Sequence, residues 1–406
     1  MNSKLPQNWK LVKLTDCLTL INGRAYLQHE LLNEGTPIIR IQNLNGGQRW
    51  YYSNLNLPEN KYCEKGDLLF AWSATFGPYQ WQGERGIYHY HIWKVLPKQN
   101  LDKNFAYYLL QWITESVKGK AHGISMVHMT KSGMENWEIQ LPPLPEQKRI
   151  AEVLDKADAL REKRRLALQK LDTLLQSVFL EMFGDPVKNP KGWGKSTLSE
   201  CTEKIVDCPH STPIWQNDGI ICLRTSNLGY GEWNWDDTRY VSFDDYQQRI
   251  SRSSVESGDI ILSREGTVGV AAIVEANMKI CMGQRLVQVR PDERKISSEY
   301  LLRLLLFELA PEKISTFMVG STSKHINVGQ LRKLPIMLPP IDMQKKFNRI
   351  SLNIRRLKKN LTASFSNIEN LFQSLQQRAF KGELFSNEFP AIESQDEKVW
   401  QQTSLF

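Results

Sequence analysis

The residues of this chain that could carry chemistry fall into four small groups, and in each the spacing works against a reaction. Cys208-Pro209-His210 is the sole Cys/His cluster, and no second pair stands at zinc-ligand spacing. The other cysteines, at 17, 63, 201, 222 and 281, form no CxxC pair, which reads as reduced thiols rather than a metal centre or disulfide frame. Gly194-Lys195-Ser196 resembles the end of a phosphate-binding loop, but Asn189 stands where the first glycine belongs, and Pro190 and Trp193 interrupt it. Asp259 with Glu265 could suggest a nuclease carboxylate pair, yet no lysine follows at the needed spacing. The same Gly-Asp occurs at Gly66-Asp67 without the Glu, so a turn before a strand is the plainer account. Finally, Pro142-Pro143 and Pro339-Pro340 both follow leucine. An adenine methyltransferase needs Asn or Asp there to accept the target amine's hydrogen bonds. Neither a full Gly-x-Gly-x-x-Gly cofactor fingerprint nor a Gly-x-Ser-x-Gly nucleophile elbow is present. No catalytic or metal-binding residue is assigned.

The elements that would position any site are written twice. Trp9 to Leu14 recurs as Trp193 to Leu198, and Ile39-Arg40-Ile41-Gln42-Asn43-Leu44 as Leu223-Arg224-Thr225-Ser226-Asn227-Leu228, both 184 residues on. Gly66 to Phe70 recurs as Gly258 to Leu262 at 192, and Leu141-Pro142-Pro143 as Leu338-Pro339-Pro340 at 197. The growing offset places small loop insertions in the second copy. Two copies at this period mean a duplicated domain, not a solenoid.

Before its Leu-Pro-Pro, each copy shows short β-rich runs, as in Thr36 to Leu44 and Ile220 to Leu228, with amphipathic helical stretches such as Phe105 to Thr114 and Ser298 to Leu309. That pattern predicts an α+β module. After it, each copy predicts a long helix with a 3-4 apolar seam. The first seam carries Ile150, Val153, Leu160, Leu171 and Leu174; the second carries Ile350, Ile354, Leu357, Leu361, Ile368 and Leu371. The two seams are each other's natural partner. The expected organisation is 1–143 first module, 144–184 central helix, 185–340 second module, 341–385 C-terminal helix and 386–406 tail. The tail is polar and acidic, and is expected either to be disordered or to lie against the first module.

With 406 residues, 41% hydrophobic and 24% charged, the chain can build two or three ordinary cores. No run of eighteen apolar residues and no apolar signal core occurs, which predicts a cytoplasmic protein. The net charge of +8 permits a polyanionic partner. From Asp342 to Lys381 nine basic residues face two acidic ones, whereas Glu146 to Glu181 holds eight and seven. Such a basic helix suits duplex backbone or an acidic protein partner.

The remaining features suit binding. Twelve aromatics lie between Trp50 and Trp93, most of them expected in the core. Ser263-Arg264-Glu265-Gly266-Thr267 is a polar, Gly-rich loop at a strand end whose Arg could reach guanine O6 and N7. Its counterpart keeps Ser73 and Thr75 but has no Arg. A second loop pair, His128 to Lys131 and Ser321, Thr322, Lys324 and His325, offers hydroxyls and cations for phosphate contacts. Arg40 and Arg224, at matching places of the repeated hexapeptide, complete the candidate DNA contacts.

The order module, Leu-Pro-Pro-Leu-Pro-Glu-Gln-Lys-Arg-Ile (141–150), long helix, then module, Leu-Pro-Pro (338–340), Gln344-Lys345, long helix resembles the specificity subunit of type I restriction–modification systems. The second copy departs at Ile341-Asp342-Met343 but keeps Gln344. The resemblance implies two target recognition domains, each reading half of a bipartite double-stranded DNA site, with the helices paired as an antiparallel coiled coil that fixes the unread spacer. It also implies two methyltransferase subunits bringing S-adenosylmethionine, and restriction–translocase subunits. The alternative from the residues alone is a DNA-binding enzyme, nuclease or adenine methyltransferase, with degenerate motifs; a scaffold that binds no DNA is a third.

Overall fold

The computed structural model describes residues 8–120, 130–310, 318–319 and 325–385. The candidates His128, Ser321, Thr322 and Lys324, and the tail, lie outside the described residues. The chain divides into two units, 1–165 with 364–406, and 166–363, so each unit takes one half of each long helix.

In the first unit, a four-stranded sheet runs in the order Leu18–Asn22, Ile92–Pro97, Leu68–Ala71, Gly77–Gln80, all antiparallel. A second sheet has the order Tyr51–Ser53, Thr36–Ile39, Gly86–Tyr88, Tyr62–Cys63, with Thr36–Ile39 parallel to Gly86–Tyr88. Helix Lys103–Lys120 covers the first sheet, burying Phe70, Trp93 and Phe105 together. The second unit repeats the first sheet as Thr202–Asp207, Leu286–Pro291, Ile260–Ser263, Ala271–Ile273, and again keeps one parallel pair, Ile220–Leu223 with Ile280–Met282. Helix Ser298–Glu308 packs on Ala271–Ile273.

The repeated hexapeptide does not continue as strand. Asn43 accepts from the Arg40 amide at 3.0 Å and Asn227 from the Arg224 amide at 2.9 Å, which turns the chain into a short helical turn in both copies. Both asparagines are buried, and their amide groups donate to carbonyls farther along, Gly47 and Arg49 in one copy, Asn234 and Asp237 in the other. A polar side chain that captures local backbone groups outcompetes the sheet ladder.

The long helices run Leu144–Phe183 and Ile341–Phe380. Each starts after Pro-Pro, and each is tied to its module by a fully buried glutamine. Gln147 accepts from the Asp102 amide at 2.8 Å and donates to Pro142 and Asn100 carbonyls; Gln344 accepts from the Ser297 amide at 2.9 Å and donates to Pro339 and Lys295 carbonyls. Within each unit the helices pair antiparallel. In the first, Arg161 meets Glu369 at 2.5 Å while Ile150, Leu154 and Ala157 share a core with Phe372, Ala379 and Phe380. In the second, Asp172 meets Lys358 at 2.7 Å, and Phe179 and Phe183 pack edge-on against Phe347.

The seam lies one residue away from its expected place at four positions. Leu160, Leu174, Leu357 and Leu371 are 47–54% exposed, and Arg161, Leu175, Lys358 and Phe372 face inward instead. Ile150 and Ile354 are buried, and Val153, Leu171, Ile350, Leu361 and Ile368 half-buried. Residue type misleads here for a physical reason. Arg161 and Lys358 lay their aliphatic stems in the seam and satisfy their charges on the partner helix, a place that periodicity of apolar residues assigns to the neighbouring leucine.

Candidate DNA-reading surfaces

In each unit three segments meet at the same end of the first sheet: the loop after its first strand, the hairpin connecting its third and fourth strands, and the turn entering the Ile92–Pro97 or Leu286–Pro291 strand. In the first unit the rim is aromatic. Trp72 donates its indole N–H to the Tyr90 carbonyl at 2.8 Å, with its ring 5.1 Å from that of His91. Tyr90 and His91 rings lie 3.9 Å apart, and His89 stacks on Tyr26. Gly23 allows this approach, because a Cβ there would sit 2.2 Å from the His89 carbonyl oxygen. Burial first, then the nearby His91 and Arg40 charges, lower the His89 pKa to about 4, so it is a neutral ring at physiological pH. Arg40 joins this cluster, its guanidinium 5.3 Å from the Tyr51 ring. Thr75 accepts from Asn45 at 2.8 Å, and Tyr79 donates to the same Asn45, which holds the exposed Ala74-Thr75 tip in place. Ser73 lies half-buried beside it. Lys131 sits on the short helix Lys131–Glu135, 3.5 Å from Glu135, and that helix packs on Leu14–Cys17.

In the second unit the same frame carries charges. Arg264 stands where the first copy has Trp72, and Gln284-Arg285 where it has Tyr90-His91. Arg264 is only 11% exposed, its Nε 3.1 Å from Asp207 Oδ1 and its Nη2 3.6 Å from Glu265. The Nε–H makes no directed hydrogen bond, so the contact is an ion pair by proximity. Arg285 is 61% exposed, 3.6 Å from Glu265, and held in left-handed backbone at φ 68°. A non-glycine residue in that region stores strain. Sequence reading missed Arg285 and His89-Tyr90-His91 because no motif surrounds them; aligning the two copies at this turn is the signal that would have found them.

Two expected loops are brought together. The Ile326 amide donates to the Arg264 carbonyl at 2.9 Å and His325 bridges Glu265, so the Arg264 and His325 segments form one surface. Gly266 borders Thr225, next to Arg224, whose guanidinium is held by Asp237 at 2.5 Å. Thr267 is exposed at the tip. Ser263 is a correction: it is fully buried, and its hydroxyl donates to the Glu265 carbonyl at 3.0 Å, closing the loop from within instead of facing a ligand.

The groups that hinted at chemistry have structural uses. Asp259 is buried and accepts from Arg290, Gln288 and the Glu256 amide, at the opposite end of its strand from Glu265. Gly194-Lys195-Ser196 is strand, paired with Ile336 to Leu338. All six cysteines are free and buried, and among the described residues no three His, Cys, Asp or Glu converge as a metal site. Among those residues no helix is long and apolar enough to cross a membrane.

The fold and these rims define a tandem recognition protein, one scaffold repeated with unlike surfaces on its two copies. The model of the type I restriction modification DNA specificity domain matches residues 6–170 and again 190–392, and the chain belongs to that family. Similar proteins include the type I restriction enzyme MjaVIII specificity subunit of Methanocaldococcus jannaschii, 24% identical across 84% of this chain and 85% of that one. The EcoBI specificity subunit of Escherichia coli is 23% identical across 93% and 86%. The crystal structure of the type I restriction–modification S subunit from M. genitalium shares the fold at a TM-score of 0.56, with 14% identity over 94% of this chain and 97% of that one.

Proposed function

We propose that this chain is the DNA specificity subunit of a type I restriction–modification complex, reading one half of a bipartite site with each module. The observation that carries the reading is the shared rim. Scaffold contacts such as Gln147/Gln344 and Asn43/Asn227 are held constant, while Trp72, Tyr90 and His91 are exchanged for Arg264, Gln284 and Arg285. A constant frame with unlike side chains is what two unlike half-sites require. The aromatic rim suits apolar base edges and sugars, and the charged rim suits guanine. The proposed contacts are Arg40, Ser73, Thr75, Tyr90 and His91 in one unit and Arg224, Arg264, Thr267, Arg285 and His325 in the other, with Lys131 on the backbone.

The chain itself is proposed to be non-catalytic and cytoplasmic, with S-adenosylmethionine carried by methyltransferase subunits and cleavage by restriction–translocase subunits. Support for two copies of one docking partner comes from the displaced leucines. Leu160 and Leu371 in one unit, and Leu357 and Leu174 in the other, are about half exposed at positions related by the repeat of 197 residues. Large apolar side chains exposed at equivalent places suit a repeated interface.

The test is the methylome of a host carrying this gene with its partner subunits. One bipartite motif is expected, in which exchanging residues 72–76 and 89–91 alters one half and exchanging 264–267 and 284–285 alters the other. Inserting two helical turns in each long helix is expected to lengthen the spacer alone. Turnover of DNA by the purified chain with S-adenosylmethionine or magnesium would refute the non-catalytic reading.

A further inference from the structure

The second unit contains a cavity of about 560 Å³ that the DNA-reading rim does not use. Its walls come from the central helix (Gln176, Phe179), the loop 229–234 (Tyr230, Trp233) and helix Ser298–Glu308 (Arg303, Phe307). Lys358 stands at its edge, engaged by Asp172 at 2.7 Å and by Glu232. The two carboxylates of the lining are thus turned onto Lys358. Arg303 is different. Its Nε is buried without a hydrogen-bond partner, and the carboxylates of Glu299, Asp172 and Glu232 act on its charge only through space, with no ion pair to it among the described residues. Gly231, at φ 89°, lets the loop lie against it, since a Cβ there would be 3.2 Å from Nη1. A guanidinium does not shed its proton when buried, so the charge persists in the cavity wall with an N–H open to an acceptor.

The first copy shows that the scaffold does not require this arrangement. Counting from the amide that each buried glutamine captures, Arg303 falls where the first copy has Tyr108, whose hydroxyl donates to Asp155 at 2.7 Å. Phe179 falls where the first copy has Gln376, which is buried and donates to Gln111 at 3.2 Å. There these side chains are paired with polar partners, and Tyr108 and Asp155 line a separate, polar cavity of about 730 Å³. In the second copy aromatic walls and an arginine whose Nε–H has no acceptor take their place.

We infer that this cavity binds a small molecule with a flat apolar body and one anionic group, a carboxylate or a phosphate, the ring lying among Phe179, Tyr230, Trp233 and Phe307 and the anion on Arg303. The volume lies within the range of small-ligand pockets, and an apolar lining with one oriented charge is how such pockets fix their ligands. The inference does not depend on which bases the rims read.

Isothermal titration of the full chain with phenyl phosphate, benzoate, benzamide and inorganic phosphate tests it. One-to-one binding of phenyl phosphate or benzoate is expected, the tighter of the two identifying the anion, with benzamide and inorganic phosphate weaker by about tenfold or more. Arg303→Met is expected to weaken the aromatic anions by a similar factor, and Gln176→Trp, on the exposed wall, to abolish binding while DNA recognition by the assembled complex is unchanged. Should Arg303→Met not fold, the Gln176→Trp result and the benzoate–benzamide ratio decide the question. Equal binding of benzamide and benzoate, no saturable binding of either aromatic anion, or insensitivity to both variants would overturn the proposal. So would loss of the site on adding the methyltransferase subunits, which would assign the cavity to an acidic side chain of a partner.

Discussion

Arg264 and Asp207 lie 3.1 Å apart at the rim of the second module, and the same rim exposes Arg285. On the proposed reading, the Asp207 carboxylate holds Arg264 back and leaves Arg285 the more exposed of the two arginines toward DNA. Arg285→Ala is expected to relax recognition at one base pair of that half-site, by about 1–3 kcal/mol if the contact is to guanine. Arg264→Ala is expected to change recognition less, because Arg264 already holds the loop together. Competition binding of the assembled complex to singly substituted sites measures both; a larger loss for Arg264→Ala would reverse the assignment.

Gln147→Leu removes an acceptor from the Asp102 amide and a donor from two carbonyls in a fully buried place. Leaving these groups unsatisfied is expected to cost about 3 kcal/mol. Gln344→Leu is expected to do the same in the second copy. Urea denaturation should show the loss for each, and a cost below about 1 kcal/mol would mean that water replaces the side chain.

The Arg161–Glu369 contact is partly buried, with the guanidinium 4.1 Å over Phe372. A double-mutant cycle with Arg161→Ala and Glu369→Ala is expected to give a coupling of about 1 kcal/mol, weakening with salt. Coupling near zero would assign Arg161 to packing alone.

His89 has its folded pKa lowered to about 4, below its ordinary value of 6.5, chiefly by burial. The unfolded chain therefore binds more protons between those values, so this residue's contribution to stability is full above pH 6.5 and is lost as pH falls toward 4. His89→Phe is expected to flatten the acid limb of the stability profile over that window. Proton NMR of the ring should place its titration near pH 4, and titration near 6.5 would refute the burial argument.

Leu160 and Leu357 are half exposed at equivalent places of the two copies. Leu160→Asp and Leu357→Asp are each expected to leave the chain folded and to remove one methyltransferase subunit from the complex, read by mass in solution. Retention of both subunits in the double variant would locate the docking surface elsewhere.

The sequence determined the duplication, the α+β modules, the two helices and the family, because those follow from periodicity, proline geometry and repeat spacing, which are properties of the chain in one dimension. It also marked Gln147 and Gln344 as fixed points without revealing that they join helix to module. Only the tertiary structure decided which way each side chain faces. Leu160 and Arg161, or Leu371 and Phe372, are neighbours in sequence about 100° apart on a helix, and the choice between them is made by Glu369 or by the neighbouring core. Likewise the sequence offers Ser263 and Arg264 together as DNA-facing loop residues and gives no sign of Arg285. One is closed in by Glu265, one is held by Asp207, and one is left outward by its left-handed backbone. The pairing of Arg264 with Asp207 rests on a partner 57 residues away, which no local pattern encodes.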